Sequence, residues 1–526
     1  MPSRHPCRAL AILFALAAGA AARPASAQQR APLPADTPRS ADGEALAAAL
    51  RRQVGILADD SLAGRKTGER GGNRAAAYLA REAAAMGLLP AGDSGTFFQR
   101  VALEKRRLWA EARATRQGRP IPLKPDAVTP LALDVLPPTT RRSGSGRVVY
   151  YGHILDRGIP DERRLTPEQM AGAVVVVRSV AAPGQPAWPS LPPIFELGLT
   201  ARAGTPVVAL VLVAEGAMGE QLNGRRDLAS RGRIVAPPRF RPADLLPVFL
   251  MTPEAVEALL GRPLAEMRYP EASIPATFGY TLHQSVQPTE AFNVVAKLPG
   301  SGSGGAWVAA GAHYDHMGAG TPVDGDSLYN GADDNASGVA ALLEAARGFA
   351  RTPRERRPGR GMLFLWHTAE EFGLLGSATF TANPSVPRDS ITAYVNLDMV
   401  GRNGRDSLWV LGPRRMSAQL RAVVDSANAR LPRPFVLDHT HDAKDDPLGS
   451  FCRSDHVHFA RAGIPVAFLT SGLHDDYHRP SDEASTLDYD KLAAVTLLTT
   501  ELMAALADRP GRFILDFGVR PRGLCQ

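Results

Sequence analysis

The chain has 526 residues, 44% of them hydrophobic and 21% charged, which is globular material with enough length for two or three cores. Its formal charge of +7 is dispersed, and residues 1–27 hold three of those charges on Arg4, Arg8 and Arg23 with no acid. What remains is too weak to imply nucleic-acid binding or stable membrane association.

Residues 1–27 have the layout of a secretory signal: a basic start, an apolar run from Ala9 to Ala22, and Ala25-Ser-Ala27 as a small-residue cleavage site. The run is shorter than the roughly 20 residues needed to span a bilayer. The mature protein is therefore expected to be exported, to the periplasm or outside the cell. Cys7 leaves with the signal, so Cys452 and Cys525 remain, and the fold is not a disulfide scaffold. Residues 28–42 read as a disordered lead-in rich in Pro, Ala and Gln.

A helical pattern runs over 42–57, then Gly64-Arg-Lys-Thr-Gly68, then an Ala-rich helix over 72–86 closed by Gly87. These helices have no strands of their own, so 43–128 is expected to pack on the sheet downstream. From 129 to 287 the texture turns β-rich, with strands at 147–151, 173–177 and 206–213. Thr166-Pro-Glu-Gln169 reads as a capping box, and Thr252-Pro-Glu254 opens another short helix. No acid pair, His cluster or nucleophile converges there, and the span reads as an inserted domain without chemistry.

The stretch 288–510 alternates strand and helix. Strands fall at 292–296, 306–312, 361–366, 391–395 and 465–469, and helices at 338–349, 374–382, 416–429, 455–462 and 489–507. That alternation predicts an α/β fold, a mixed and mostly parallel sheet flanked by helices. Gly300-Ser-Gly-Ser-Gly-Gly305 matches a dinucleotide-loop pattern, but it precedes a strand and opens no helix, so it is a loop. Residues 511–526 form a tail.

Polar clusters directly follow the apolar runs. His313-Tyr-Asp315 ends one strand, and Asn330-Gly-Ala-Asp333-Asp334-Asn precedes a helix. Glu370-Glu371, Asp398 and His474-Asp-Asp-Tyr477-His478 follow three more. Open α/β sheets build their sites beyond the carboxyl ends of strands. Imidazoles with carboxylates suit zinc and not a thiolate site. A hydrolytic pair of ions needs a bridging carboxylate, further His and carboxylate ligands, and a separate carboxylate to take the water's proton. Taken singly, each residue also reads as an ordinary loop or helix-cap side chain. Their succession at strand ends is what carries the argument.

These motifs, in this order, resemble the co-catalytic di-zinc aminopeptidases of metallopeptidase family twenty-eight. Ser454-Asp-His456, Gly64-Arg-Lys-Thr-Gly68 and Phe97-Phe-Gln99 add to the likeness, and 129–287 is similar to the protease-associated domain many members carry. The resemblance implies two zinc ions per chain. His313 and Asp398 would hold one, Glu371 and His478 the other, and Asp333 would bridge both. Glu370 would be the general base, and Asp315 would hydrogen-bond His313 and fix its tautomer. It also implies a cis peptide at Asp333–Asp334. Glu370 and Asp398 would receive a free α-amine, with His474 and Tyr477 as further substrate contacts. His316, His367, His439, His441 and His458 have no assigned role, and His456 reads as local packing.

The substrate expected is therefore the N-terminus of a peptide or protein. Two relatives of the same fold stay open: a carboxypeptidase, for which Arg402, Arg453 or Arg479 would clamp the substrate carboxylate, and a glutaminyl cyclase. A receptor-like protein without catalysis is the reading from another class, and it would be expected to lack ligands. Oligomeric state is not legible in the sequence.

Overall fold

The computed structural model describes residues 43–124, 126–131, 142–153, 163–178, 207–215, 232–237 and 246–516. The expected signal segment and lead-in lie outside these residues, as does the tail beyond Asp516. Among the described residues, no helix is long and apolar enough to cross a membrane.

Four apolar runs form a parallel core. Trp307–His313 lies between Gly361–His367 and Ile391–Leu397, and Val466–Thr470 continues the parallel row beside Ile391–Leu397. Their residues are almost wholly buried on both faces, which is why they read as unbroken apolar runs without alternation. Antiparallel neighbours extend the sheet: Ser407–Leu411 beside Val466–Thr470, and Ala276–Leu298 beside Gly361–His367. The sheet is mixed and mostly parallel, as the alternation predicts.

Helices cover it. Gly338–Arg351 and the 20-residue Tyr489–Asp508 bury Leu342, Leu343, Leu498 and Leu502 in one core with Val308, Trp366 and Val395. Gly43–Leu57 and Arg70–Ala85 join the same core through Leu50, Val54, Leu57, Leu79 and Ala83, at helical i, i+3, i+4 spacing. Asp488 caps the last helix, accepting from the Asp490 and Lys491 N–H groups at 3.1 Å. The capping box at Thr166 and the Thr252 cap both form, and the run 300–305 is a loop.

Two long strands depart from the expected map. Phe98–Arg116, 19 residues, pairs antiparallel with Ala276–Leu298, 23 residues, over nearly its whole length. Position 287 therefore falls inside a strand and not at a break, and the stretch 43–128 is not only helical. Phe98–Arg116 is rich in Ala, Glu, Lys and Arg, which favour helix. What makes it a strand is partnership, with Val101, Leu103, Leu108 and Ala114 facing inward. The outer halves of both strands enter a second core with Val148, Val174, Val211 and Phe249. There Arg142–His153, Ala173–Arg178, Ala209–Val213 and Val248–Met251 lie side by side in parallel, and Val128–Leu131 pairs antiparallel with the last. The expected strand at 206–213 begins on a residue outside the description. Cys452 is disulfide-bonded.

Candidate metal centre

Parallel strands point their carboxyl ends to one edge of a sheet, so the polar residues that follow them meet there. His313 is the last residue of its strand and lies opposite His367, three residues before Glu370. Asp398 follows Leu397, which lies opposite Leu469 on the strand before His478. The turns are sharp. Ala369, Met399 and His478 all hold positive φ, near +55°, a region that non-glycine residues occupy only when their surroundings over-determine it.

The donor atoms converge on Asp334. Its Oδ1 stands 3.3 Å from His313 Nε2, and its Oδ2 stands 3.2 Å from His478 Nε2. On one side Asp398 Oδ1 lies 3.2 Å from His313 Nε2, and on the other Glu371 Oε2 lies 3.1 Å from His478 Nε2. Ligands about 2.0–2.1 Å from a tetrahedral ion stand roughly 3.3 Å apart, and each imidazole stands at about that distance from its two carboxylates. Two imidazoles and three carboxylates fit zinc chemically as well.

Asp333 is therefore not the bridging position. Its backbone N–H and that of Asp334 both donate to Asp482, at 2.9–3.1 Å, which turns the Asp333 side chain away from the donor sets. There Asp333 Oδ1 accepts from the Gly401 N–H at 2.7 Å, and Oδ2 faces His474 Nε2 at 3.3 Å. The cis peptide is Asp334–Asn335, one bond beyond the one expected. His474 is directed at Asp333 and does not line the cleft. Tyr477 does line it, its ring 3.8 Å from that of His478.

Asp315 also differs from expectation. The His313 Nδ1 partner is the backbone carbonyl of Asp315 at 3.1 Å, while the Asp315 carboxylate stays 3.9 Å away. The carboxylate instead accepts from Thr67 Oγ1 at 2.8 Å and from the Glu370 N–H at 3.2 Å. Three further residues bear on the site without a prior assignment. His316, wholly buried, places Nδ1 2.6 Å from Glu371 Oε1. Ser454 donates to Asp398 Oδ2 at 2.7 Å, leaving Oδ1 free to face His313. The buried Arg65 guanidinium donates to the carbonyls of Leu57, Tyr314, Asn330 and Gly331 at 2.6–2.8 Å, tying the loops of His313 and Asp334 together. The sequence signal for Arg65 and Thr67 is the motif Gly64-Arg-Lys-Thr-Gly68. For His316 it is only adjacency to Asp315.

Packing so much charge into a buried space shifts its ionisation. Burial, then the nearby Glu371 and Asp398 carboxylates, push the Glu370 carboxyl well above the usual range against the pull of His313. Burial opposes a charged His478, but Glu371 and Asp334 raise it to about 10. Burial likewise works against charge on His313, and Asp398 and Glu370 outweigh it. The surrounding carboxylates thus favour the charged form of both imidazoles. A cleft opens on these residues, walled by Met399, Trp409, Leu448, Phe468 and Leu473, with Arg453 also in its lining.

Imidazole and carboxylate sets that share one carboxylate stand at the carboxyl edge of a mostly parallel sheet, an arrangement with the donor types a pair of divalent ions requires. Residues 293–503 match Peptidase family M28. Among its relatives, leucine aminopeptidase 1 of Trichophyton rubrum is 28% identical over 226 residues, 41% of this chain and 58% of that protein. Leupeptin-inactivating enzyme 1 of Streptomyces exfoliatus is 31% identical over 194 residues, 37% of this chain and 38% of its own. The chain thus spans a little over half, or less, of these relatives. The fold is shared with an aminopeptidase from Aneurinibacillus sp. strain AM-1, at TM-score 0.51 and 18% identity, covering 89% of this chain and 96% of that one. A zinc aminopeptidase from Bacillus subtilis gives TM-score 0.52 and 16% identity, over 90% and 98% of the two chains.

Proposed function

We propose that the protein is an exported zinc aminopeptidase that releases the N-terminal residue of peptides. The observation that carries this reading is the sharing of Asp334 between the His313–Asp398 and His478–Glu371 sets, at 3.1–3.3 Å. Two zinc ions per chain would be held there, Asp334 touching both. Bound zinc would supply a Lewis acid for the scissile carbonyl and acidify the attacking water. Glu370 lines the cleft, and its carboxylate has no hydrogen-bond partner among the described residues, so it is free to take the water's proton and return it to the leaving amine. Its raised affinity for a proton suits that exchange. Glu370 and Asp398 together offer negative charge to a protonated α-amine. The apolar walls favour an apolar first side chain, as in the leucine aminopeptidase relatives. No donor residue comes from 129–287, so that span is assigned no part in the chemistry. Export rests on the signal-like residues 1–27.

A carboxypeptidase is the second reading, and one observation favours it. Arg402 is bound to Asp476 at 2.7 Å and Arg479 does not line the cleft, but Arg453 does. The test is a panel of free, N-acetylated and C-amidated peptides, with zinc supplied or chelated. Leaving a buried carboxylate without its cation costs about 1–3 kcal/mol or more, so N-acetylation is expected to lower kcat/KM at least about 10-fold. Acceptance of blocked N-termini with refusal of C-terminal amides would move the assignment to the carboxypeptidase. Cyclisation of N-terminal glutamine without cleavage would move it to the cyclase.

A further inference from the structure

Glu370 follows a strained residue, and something must hold the turn. Ala369, at φ 56°, is wholly buried, and a side-chain-bearing residue keeps that conformation only under constraint. Its backbone N–H donates to Thr67 Oγ1 at 3.1 Å. The next N–H, that of Glu370, donates to Asp315 Oδ1 at 3.2 Å. The Thr67 hydroxyl then donates to Asp315 Oδ2 at 2.8 Å, which closes a ring of hydrogen bonds around the turn. Thr67 and Asp315 are both fully buried, so water does not compete for these groups.

We propose that Thr67 is a positioning residue for Glu370, acting through Asp315 and the Ala369 N–H to fix where the base carboxylate stands in the cleft. The proposal rests on the reading of Glu370 as the base. It gives the Asp315 carboxylate a different task from orienting His313, whose Nδ1 is already served by a backbone carbonyl. The hydroxyl is needed in both its capacities, since the Ala369 N–H requires an acceptor and the carboxylate a donor. Only Ser shares that ability at this size.

The test compares Thr67→Val and Thr67→Ala, which delete the hydroxyl, with Thr67→Ser, which keeps it, and with Glu370→Gln in the same assay. Small misplacements of catalytic groups cost up to about 100-fold, so the two deletions should lower kcat about 10- to 100-fold. KM should stay within about twofold, because substrate binding is not what is lost. Zinc content measured by elemental analysis should match the wild type, and Thr67→Ser should restore kcat to within about threefold. A kcat within about twofold of wild type for both deletions would overturn the proposal. So would zinc loss in step with activity, a Ser variant as impaired as Val, or failure of both deletions to fold. If Glu370→Gln itself keeps near-normal kcat with full zinc, the reading of Glu370 as base fails, and the proposal with it.

Discussion

Asp333 and Asp334 are adjacent and chemically identical, and their substitutions should part completely. Asp334→Ala removes both oxygens that face His313 and His478 at 3.3 and 3.2 Å. Each ion would lose one of its three protein ligands. Loss of a residue that merely supports a ligand costs about 10- to 100-fold in metal affinity, so losing the ligand should cost at least about 100-fold, near 2.8 kcal/mol, at both positions. Asp333→Ala instead removes the acceptor of the Gly401 N–H at 2.7 Å and the contact of His474 at 3.3 Å. A hydrogen bond to a charged group is worth about 1.5–3 kcal/mol, and that cost falls on the stability of the loop. Both variants would be equilibrated against a zinc buffer, counted for zinc per chain, and melted without metal. Asp334→Ala should empty, while Asp333→Ala should stay loaded and melt lower. A full complement of zinc in Asp334→Ala beside an empty Asp333→Ala would refute the assignment.

Glu370→Gln should retain zinc and lose about 10²–10⁴-fold in kcat, while Glu371→Gln should lose zinc first; equal activity for Glu370→Gln and wild type at full metal would exclude it as the base. Zinc added to the metal-free protein at pH 7 should expel protons. His478, held at about 10, is charged there and must become neutral to bind, so zinc affinity should rise with pH by about tenfold per unit for each proton displaced, up to pH 10. Titration calorimetry in buffers of different ionisation enthalpy reads this directly, and a proton count of zero would contradict the raised value. Arg65→Met should leave four buried carbonyls without their donor and destabilise the fold by about 3–5 kcal/mol, seen in chemical denaturation; an unchanged midpoint would show that the guanidinium is dispensable.

The sheet core and the edge on which the site stands follow from the order of apolar and polar residues along the chain. The strands Trp307–His313, Gly361–His367, Ile391–Leu397 and Val466–Thr470 are continuous apolar runs because both faces are covered, and the polar residues that follow them must emerge at one edge. His313, Glu371, Asp398 and His478 were legible for that reason. Tertiary structure alone decided which of two neighbouring aspartates turns inward, because that depends on Asp482, some 150 residues further on, capturing both their N–H groups. It also decided that Phe98–Arg116 is a strand, since its residues favour helix until Ala276–Leu298 supplies the ladder. The tasks of Thr67, Arg65, His316 and Ser454 lay equally beyond the sequence. Each is an ordinary side chain whose effect comes from a partner brought close by folding, at distances of 2.6–2.8 Å that no local pattern encodes.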